Sequence, residues 1–152
     1  MYAASIRDGE VTEDVGTVVS LPEIVGGGYG EFWRCRRRYR VVKGGKASKK
    51  SSTTALWYIL HLMKYPQANL LVVRQVYRTH IDSTFAQLNW AIRRLGVGHL
   101  WQASREPLEL RYRPTGQRIL FRGLDNVEKL ASTTVTKGVW CWVWVEIGRA
   151  HV

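Results

Sequence analysis

The sequence predicts an α/β fold with a largely parallel sheet flanked by helices. Three observations predict it. Short apolar runs of strand length alternate with longer stretches of helical period. Pro66 and Gly96 stand where those two helical stretches should stop. The last apolar run, "GVWCWVWVE", ends in an acid and reads as a buried central strand. Hydrophobic residues make up 45% of the 152, with seven Trp, which is enough for one core and excludes bulk disorder.

Residues 1 to 20 are small and polar without a persistent period and read as an N-terminal arm. In "LPEIVGGGYGEFW", Gly26, Gly27, Gly28 and Gly30 mark irregular backbone. "RCRRRYRVV", residues 34 to 42, alternates charged and apolar positions and is expected to be a first strand. A lysine- and glycine-containing loop follows. Leu56, Ile59, Leu60 and Met63 in "SSTTALWYILHLMKYP" have helical spacing. "NLLVVRQ" is a buried strand by length. Ile81, Phe85, Leu88, Ile92 and Leu95 share one helical face, with Gly96 at the C-terminal cap. "LELRYRPTGQRILFRG" reads as two strands joined at Pro114-Thr115-Gly116, and residues 126 to 130 as a short helix.

The net charge of +11 favours a polyanionic partner: nucleic acid, nucleotide or an acidic surface. Cys35 and Cys141 lie far apart, so no disulfide framework or zinc site is indicated, and both are expected to be buried thiols. His61, His80, His99 and His151 show no metal spacing. No apolar run reaches the ~18 residues of a membrane span, and the N-terminus has no signal-peptide core. A soluble intracellular protein is expected.

"VVKGGKASKKSS" approximates the phosphate-loop pattern G-x-x-x-x-G-K-[ST]. Counted from Gly44, Lys50 and Ser51 fall in register, while Lys49 replaces the second glycine. Such a loop cradles phosphates with backbone N–H groups at a helix start, its lysine reaching the β- and γ-phosphates and its hydroxyl ligating Mg²⁺. A left-handed conformation at a non-glycine residue would cost about 1–2 kcal/mol there. On this pattern alone a basic surface turn fits as well. Glu146 supplies a second signal, because nucleotide hydrolases of this kind end a hydrophobic strand with an acid that holds Mg²⁺. Together they predict an ATP site on a P-loop NTPase core.

"FWRCRRRYRVVKGGKASKKSS", "NLLVVRQVYRTHIDSTF", "PTGQRILFRGLDNVEKLAS" and "VWCWVWVE" together resemble the ATPase domain of tailed-phage terminase large subunits, the PBSX-like group in particular. The resemblance covers residues 21 to 146 as a partial domain. It implies ATP and Mg²⁺ as cofactors, with Gly44, Gly45, Lys46, Ala47, Ser48, Lys49, Lys50 and Ser51 holding the nucleotide. Ser51 and Glu146 would hold the metal, and Glu146 and Arg74 would take part in catalysis, Arg74 at the γ-phosphate in cis or from a neighbouring subunit. Some members share glycine-poor loops, which makes Lys49 a lineage variant. Phe32, Trp33 and Tyr39 precede the loop, where packing or stacking on a base is open to them. Asp125 and Ser132 are candidate caps, and Arg36, Arg37 and Arg38 a solvated basic face.

The family function implied is a motor that packages double-stranded DNA into procapsids. Expected partners are the small terminase subunit, the portal protein and further copies in a ring, in the cytoplasm of an infected or lysogenic bacterium. A helicase-like or other P-loop ATPase and a non-catalytic basic DNA-binding module are the alternatives. In the family a second acid follows the metal-holding one, whereas here Ile147 does, and no nuclease acid cluster is visible. The fragment is therefore expected to be incomplete at its C-terminus and inactive alone. Residues 147 to 152, "IGRAHV", read as a non-native tail from adapter read-through; long-read sequencing that finds them in the source DNA overturns this.

Overall fold

The computed structural model describes the backbone of residues 5–7, 10–12 and 18–147, and side chains from residue 20 to 147. His151 and most of the predicted tail, residues 148–152, lie outside the described residues. Three short strands, β1 (Ser5–Arg7), β2 (Glu10–Thr12) and β3 (Val18–Ser20), form an antiparallel meander within the stretch read as an arm. Short helices α1 (Leu21–Val25) and α2 (Gly30–Arg34) follow.

The main body is a five-stranded mixed sheet. Its strands are β4 (Ala68–Arg74), β5 (Trp101–Arg105), β6 (Leu108–Tyr112), β7 (Arg118–Gly123) and β8 (Val139–Val145), in the order β5-β6-β7-β4-β8. β4 pairs in parallel with β7 and β8, while β5–β6 and β6–β7 are antiparallel. The expectation of a largely parallel sheet is thus corrected. The polar turn closed by Gly116 (φ +76°) makes the β6–β7 hairpin as anticipated, and residues 101–105, which have little apolar content, add a second hairpin through β5.

Helix α3 (Lys50–Lys64) is buried along most of its length, from Ala55 and Leu56 to Leu62 and Met63. Its last turn leaves carbonyls without helical partners. The buried Gln117 meets that need, donating to Leu62 O and, at 2.6 Å, to Tyr65 O. Helix α4 (Thr84–Arg94) buries Phe85, Leu88, Ala91 and Ile92. Val97 N donates to Ile92 O and Gly96 N to Arg93 O, both at 3.1 Å, with Gly96 left-handed at φ +72°. This is the Schellman closure that glycine permits. A short helix α5 (Val127–Ala131) is capped by Asn126, whose side chain accepts from Lys129 N at 3.0 Å.

Two strand expectations are corrected. Residues 35–45 form no strand, because none of the described segments pairs with them. The alternation there serves another contact: Arg40 lies 3.8 Å from the Trp57 ring centroid and 5.1 Å from that of Phe32, while Tyr39 and Val41 stay exposed. β8 exists but is an edge strand. Trp140, Trp142 and Trp144 turn inward, Val139, Val143 and Val145 are each more than half exposed, and Cys141 is exposed rather than buried.

Buried polar groups tie these layers together. His80 is fully buried, with Nε2 2.7 Å from Arg122 O and Nδ1 2.6 Å from Thr84 Oγ1. A carbonyl can only accept, so Nε2 carries the proton and Nδ1 accepts from the threonine hydroxyl. Burial lowers its pKa. His61 stacks on Trp57 at 3.7 Å between centroids and is likewise lowered by burial, to about 4. Burial pushes the Tyr58 phenol up to about 12. Among the described residues no helix is long and apolar enough to cross a membrane.

Candidate functional site

The loop before α3 is held by short-range geometry. Ala47 and Lys49 are its two left-handed residues, at φ +64° and +58°. Lys49 occupies the position immediately before α3, and its carbonyl accepts from Thr53 N at 2.9 Å and Thr53 Oγ1 at 2.8 Å. Gly44 leaves room for the loop's own side chains, since a Cβ there would come within 2.9 Å of Ser48 Oγ and 3.3 Å of Lys50 Cδ, both of which would have to move aside. Gly45 faces open space. Two contacts fasten the loop to the preceding helices: Tyr29 donates to Ser48 O, and Lys49 Nζ to Ile24 O at 3.3 Å.

Lys50 folds back over the loop. Its Nζ donates to Gly44 O at 3.0 Å, Gly45 O at 3.1 Å and Ser48 Oγ at 3.4 Å. The ammonium group is thereby held over the loop, and the first α3 N–H groups that follow it have no helical acceptor. Lys46 belongs to the same turn and is exposed.

One contact spans the chain. Ser51 Oγ donates to Glu146 Oε1 at 3.0 Å, joining the start of α3 to the residue that follows β8, 95 positions later. Glu146 N continues the sheet ladder to Val73 O at 3.0 Å, and Trp144 Nε1 donates to Glu146 Oε2 at 3.0 Å. The carboxylate is thus oriented at both oxygens. A hydroxyl and a carboxylate oxygen side by side are hard donors that suit Mg²⁺. Among the described residues no group of three or more His, Cys, Asp or Glu forms a cage. A metal on Ser51 and Glu146 would take its other ligands from phosphate and water, the usual habit of Mg²⁺.

Beside this pair opens a cleft of about 530 Å³ whose walls include Ser51, Ser52, Asp82, Gln87, Trp90 and Glu146. Gln87 Nε2 donates to Ser52 Oγ at 3.0 Å and fixes α4 against α3 across it. Asp82, Gln87 and the orienting Trp144 were not singled out from the sequence. Nothing local marks them, because their relevance arises only when α4 and β8 meet the start of α3.

Residues 36–148 match the model of the phage terminase large subunit family. The chain belongs to that family. Over 120 residues it is 43% identical to the terminase large subunit of Bacillus phage SPP1, covering 76% of this chain and 28% of the relative. Over 102 residues it is 40% identical to the PBSX phage terminase large subunit of Bacillus subtilis (strain 168), covering 67% and 23% respectively. The chain therefore spans about a quarter of the length of these curated relatives.

Other predicted residues of this terminase chain direct their side chains to partners other than the Ser51–Glu146 pair. Arg74 ends β4, but its Nη1 donates to Thr79 O at 3.3 Å, and it does not line the cleft. Asp125 Oδ1 accepts from Tyr77 N at 3.1 Å, a backbone clamp, and Ser132 Oγ donates to Lys129 O at the end of α5. Phe32 and Trp33 pack against the core, whereas Tyr39 is 79% exposed.

Lys49 offers a direct test of loop strain. Replacing it with glycine removes a left-handed penalty of about 1–2 kcal/mol and adds unfolded-state entropy of about 0.5–1 kcal/mol. Lys49→Gly is expected to stabilise the chain by about 0.5–1 kcal/mol, raising Tm by roughly 2 °C. A lower Tm in thermal unfolding would show that the Lys49 side chain, through Ile24, outweighs its backbone strain.

Proposed function

We propose that residues 21 to 146 form part of the ATPase domain of a phage DNA-packaging motor, with the loop from Gly44 to Ser51 as its phosphate loop. The observation that carries this reading is the Ser51–Glu146 hydrogen bond at 3.0 Å beside the Lys50 loop. Two sequence signals 95 positions apart meet at one point, and a hydroxyl beside a carboxylate suits the Mg²⁺ of a nucleoside triphosphate. Lys50 would exchange its loop carbonyls for β- and γ-phosphate oxygens. The α3 amides would donate to the phosphates, and Ser51 and Glu146 would hold the metal. Bound Mg²⁺ would neutralise charge on the transferring phosphoryl group. Arg74 would have to leave Thr79 O to reach a phosphate in cis, and action on a neighbouring subunit's nucleotide is the other route open to it.

Family membership supports the wider reading. In the whole protein this domain would work in a ring of copies with the small terminase subunit and the portal protein, translocating double-stranded DNA. A downstream endonuclease domain is proposed on the same basis. Ile147 follows Glu146 where the family's second acid is expected, so hydrolysis by this chain alone is proposed to be negligible.

Isothermal titration of the chain with Mg²⁺–ATP tests the site. Charge-assisted hydrogen bonds contribute roughly 1.5–3 kcal/mol, so Lys50→Ala is expected to weaken binding about 10- to 100-fold. Equal affinities for the two chains would favour the basic-turn reading instead.

A further inference from the structure

The site as read has one acid, and both of its oxygens are occupied. Glu146 accepts from Ser51 on one side and from Trp144 on the other. Ile147 beside it is 88% exposed and offers no donor atom. A second carboxylate nevertheless faces the same cleft, that of Asp82. Among the described residues no hydrogen bond or ion pair engages it. The remaining walls are neutral, with serine, threonine, alanine, glutamine and tryptophan side chains. Two like charges facing one cleft repel, and a cation between them removes the repulsion.

The backbone around Asp82 is pinned, which limits how far its carboxylate can move from the cleft. His80 is locked to Arg122 O and Thr84 Oγ1. Ser83 N donates to His80 O at 3.1 Å and Ser83 Oγ to Thr79 O at 2.5 Å. Gln87 N donates to Ser83 O at 2.8 Å, while the Gln87 side chain holds Ser52, the neighbour of Ser51. Asp82 is therefore an exposed acid on a rigid segment, tied through α4 to the residue pair proposed to hold the metal.

We propose that Asp82 is the second carboxylate of this Mg²⁺–nucleotide site, accepting hydrogen bonds from water molecules on the metal. It is a positioning residue that acts through those waters. The inference rests on the nucleotide-site reading above and is separable from it.

The test is ATP binding by the intact chain, titrated with Mg²⁺ and, in parallel, measured in EDTA, for the wild type, Asp82→Asn, Asp82→Glu and Lys50→Ala. Loss of an outer-shell carboxylate weakens metal binding about 10- to 100-fold. Asp82→Asn is expected to raise the Mg²⁺ midpoint at least tenfold, with metal-free ATP affinity unchanged or tighter because a repulsive charge is gone. Asp82→Glu should recover part of the shift. An unchanged midpoint in Asp82→Asn, alongside lost binding in Lys50→Ala, overturns the role of Asp82 and leaves the nucleotide site standing. Absence of ATP binding by the wild type removes both.

Discussion

Asn69→Ala is expected to lower the unfolding free energy by about 3–5 kcal/mol, a large share of the total stability of a domain this size. Asn69 is fully buried at the N-terminal end of β4, between the two strands that pair with it. Its Oδ1 accepts from Arg118 N at 2.8 Å, and its Nδ2 donates to Lys137 O at 2.9 Å and Val139 O at 3.2 Å. The β4–β7 register starts at Leu70–Ile119 and the β4–β8 register at Ala68–Val139, so the side chain bonds groups at the starts of both ladders. Alanine would strand one backbone N–H and two carbonyls, each costing about 1–3 kcal/mol when buried and unpaired. Asn69→Asp should be no better, since it keeps the acceptor for Arg118 but replaces two donations with a buried charge. Urea unfolding measures both. A loss under about 1 kcal/mol for alanine would mean that water or backbone relaxation replaces the amide.

Gly123→Ala should cost about 2–4 kcal/mol and lower Tm by roughly 5–10 °C. The backbone of β7 passes so close to the segment after β4 that a Cβ on Gly123 would sit 2.5 Å from Tyr77 N and 2.9 Å from Tyr77 Cα. It would also strike the Asp125 carboxylate, breaking the bond by which that group holds Tyr77 N. Gly123 is not among the glycines with positive φ, so the requirement is for space rather than for a left-handed backbone. The same substitution should speed hydrogen exchange at the Tyr77 amide. An unaltered melting temperature would show that the Tyr77 turn can retreat at little cost.

Much of the site was legible because its signals are local. Lys50 and Ser51 follow from loop spacing, and Glu146 from its place after an apolar run. That Lys49 would be left-handed was legible as a condition of the loop pattern, and the backbone meets it. Asp82 and Trp144 were not legible. Aspartate before a serine and a helix is ordinary capping chemistry, and a tryptophan in a strand is ordinary core. Only the cleft makes one a neighbour of Glu146, and only the 3.0 Å indole bond makes the other its orienter.

By itself the sequence determined the helices α3 and α4 with the glycine closure of the latter, the β6–β7 hairpin, the run that becomes β8, and membership of the terminase family. These depend on periodicity, on caps and turns a few residues long, and on blocks of matching residues. Only the tertiary structure decided which runs pair and where each strand lies in the sheet. Residues 34–42 look like a strand but have no strand partner among the described residues, and the Arg40 side chain packs on Trp57 instead. β8 looks central but lies at the edge of the described sheet, because an apolar run reads the same whether one strand or two pair with it. Strand pairing is a relation between distant segments, and no single segment encodes it.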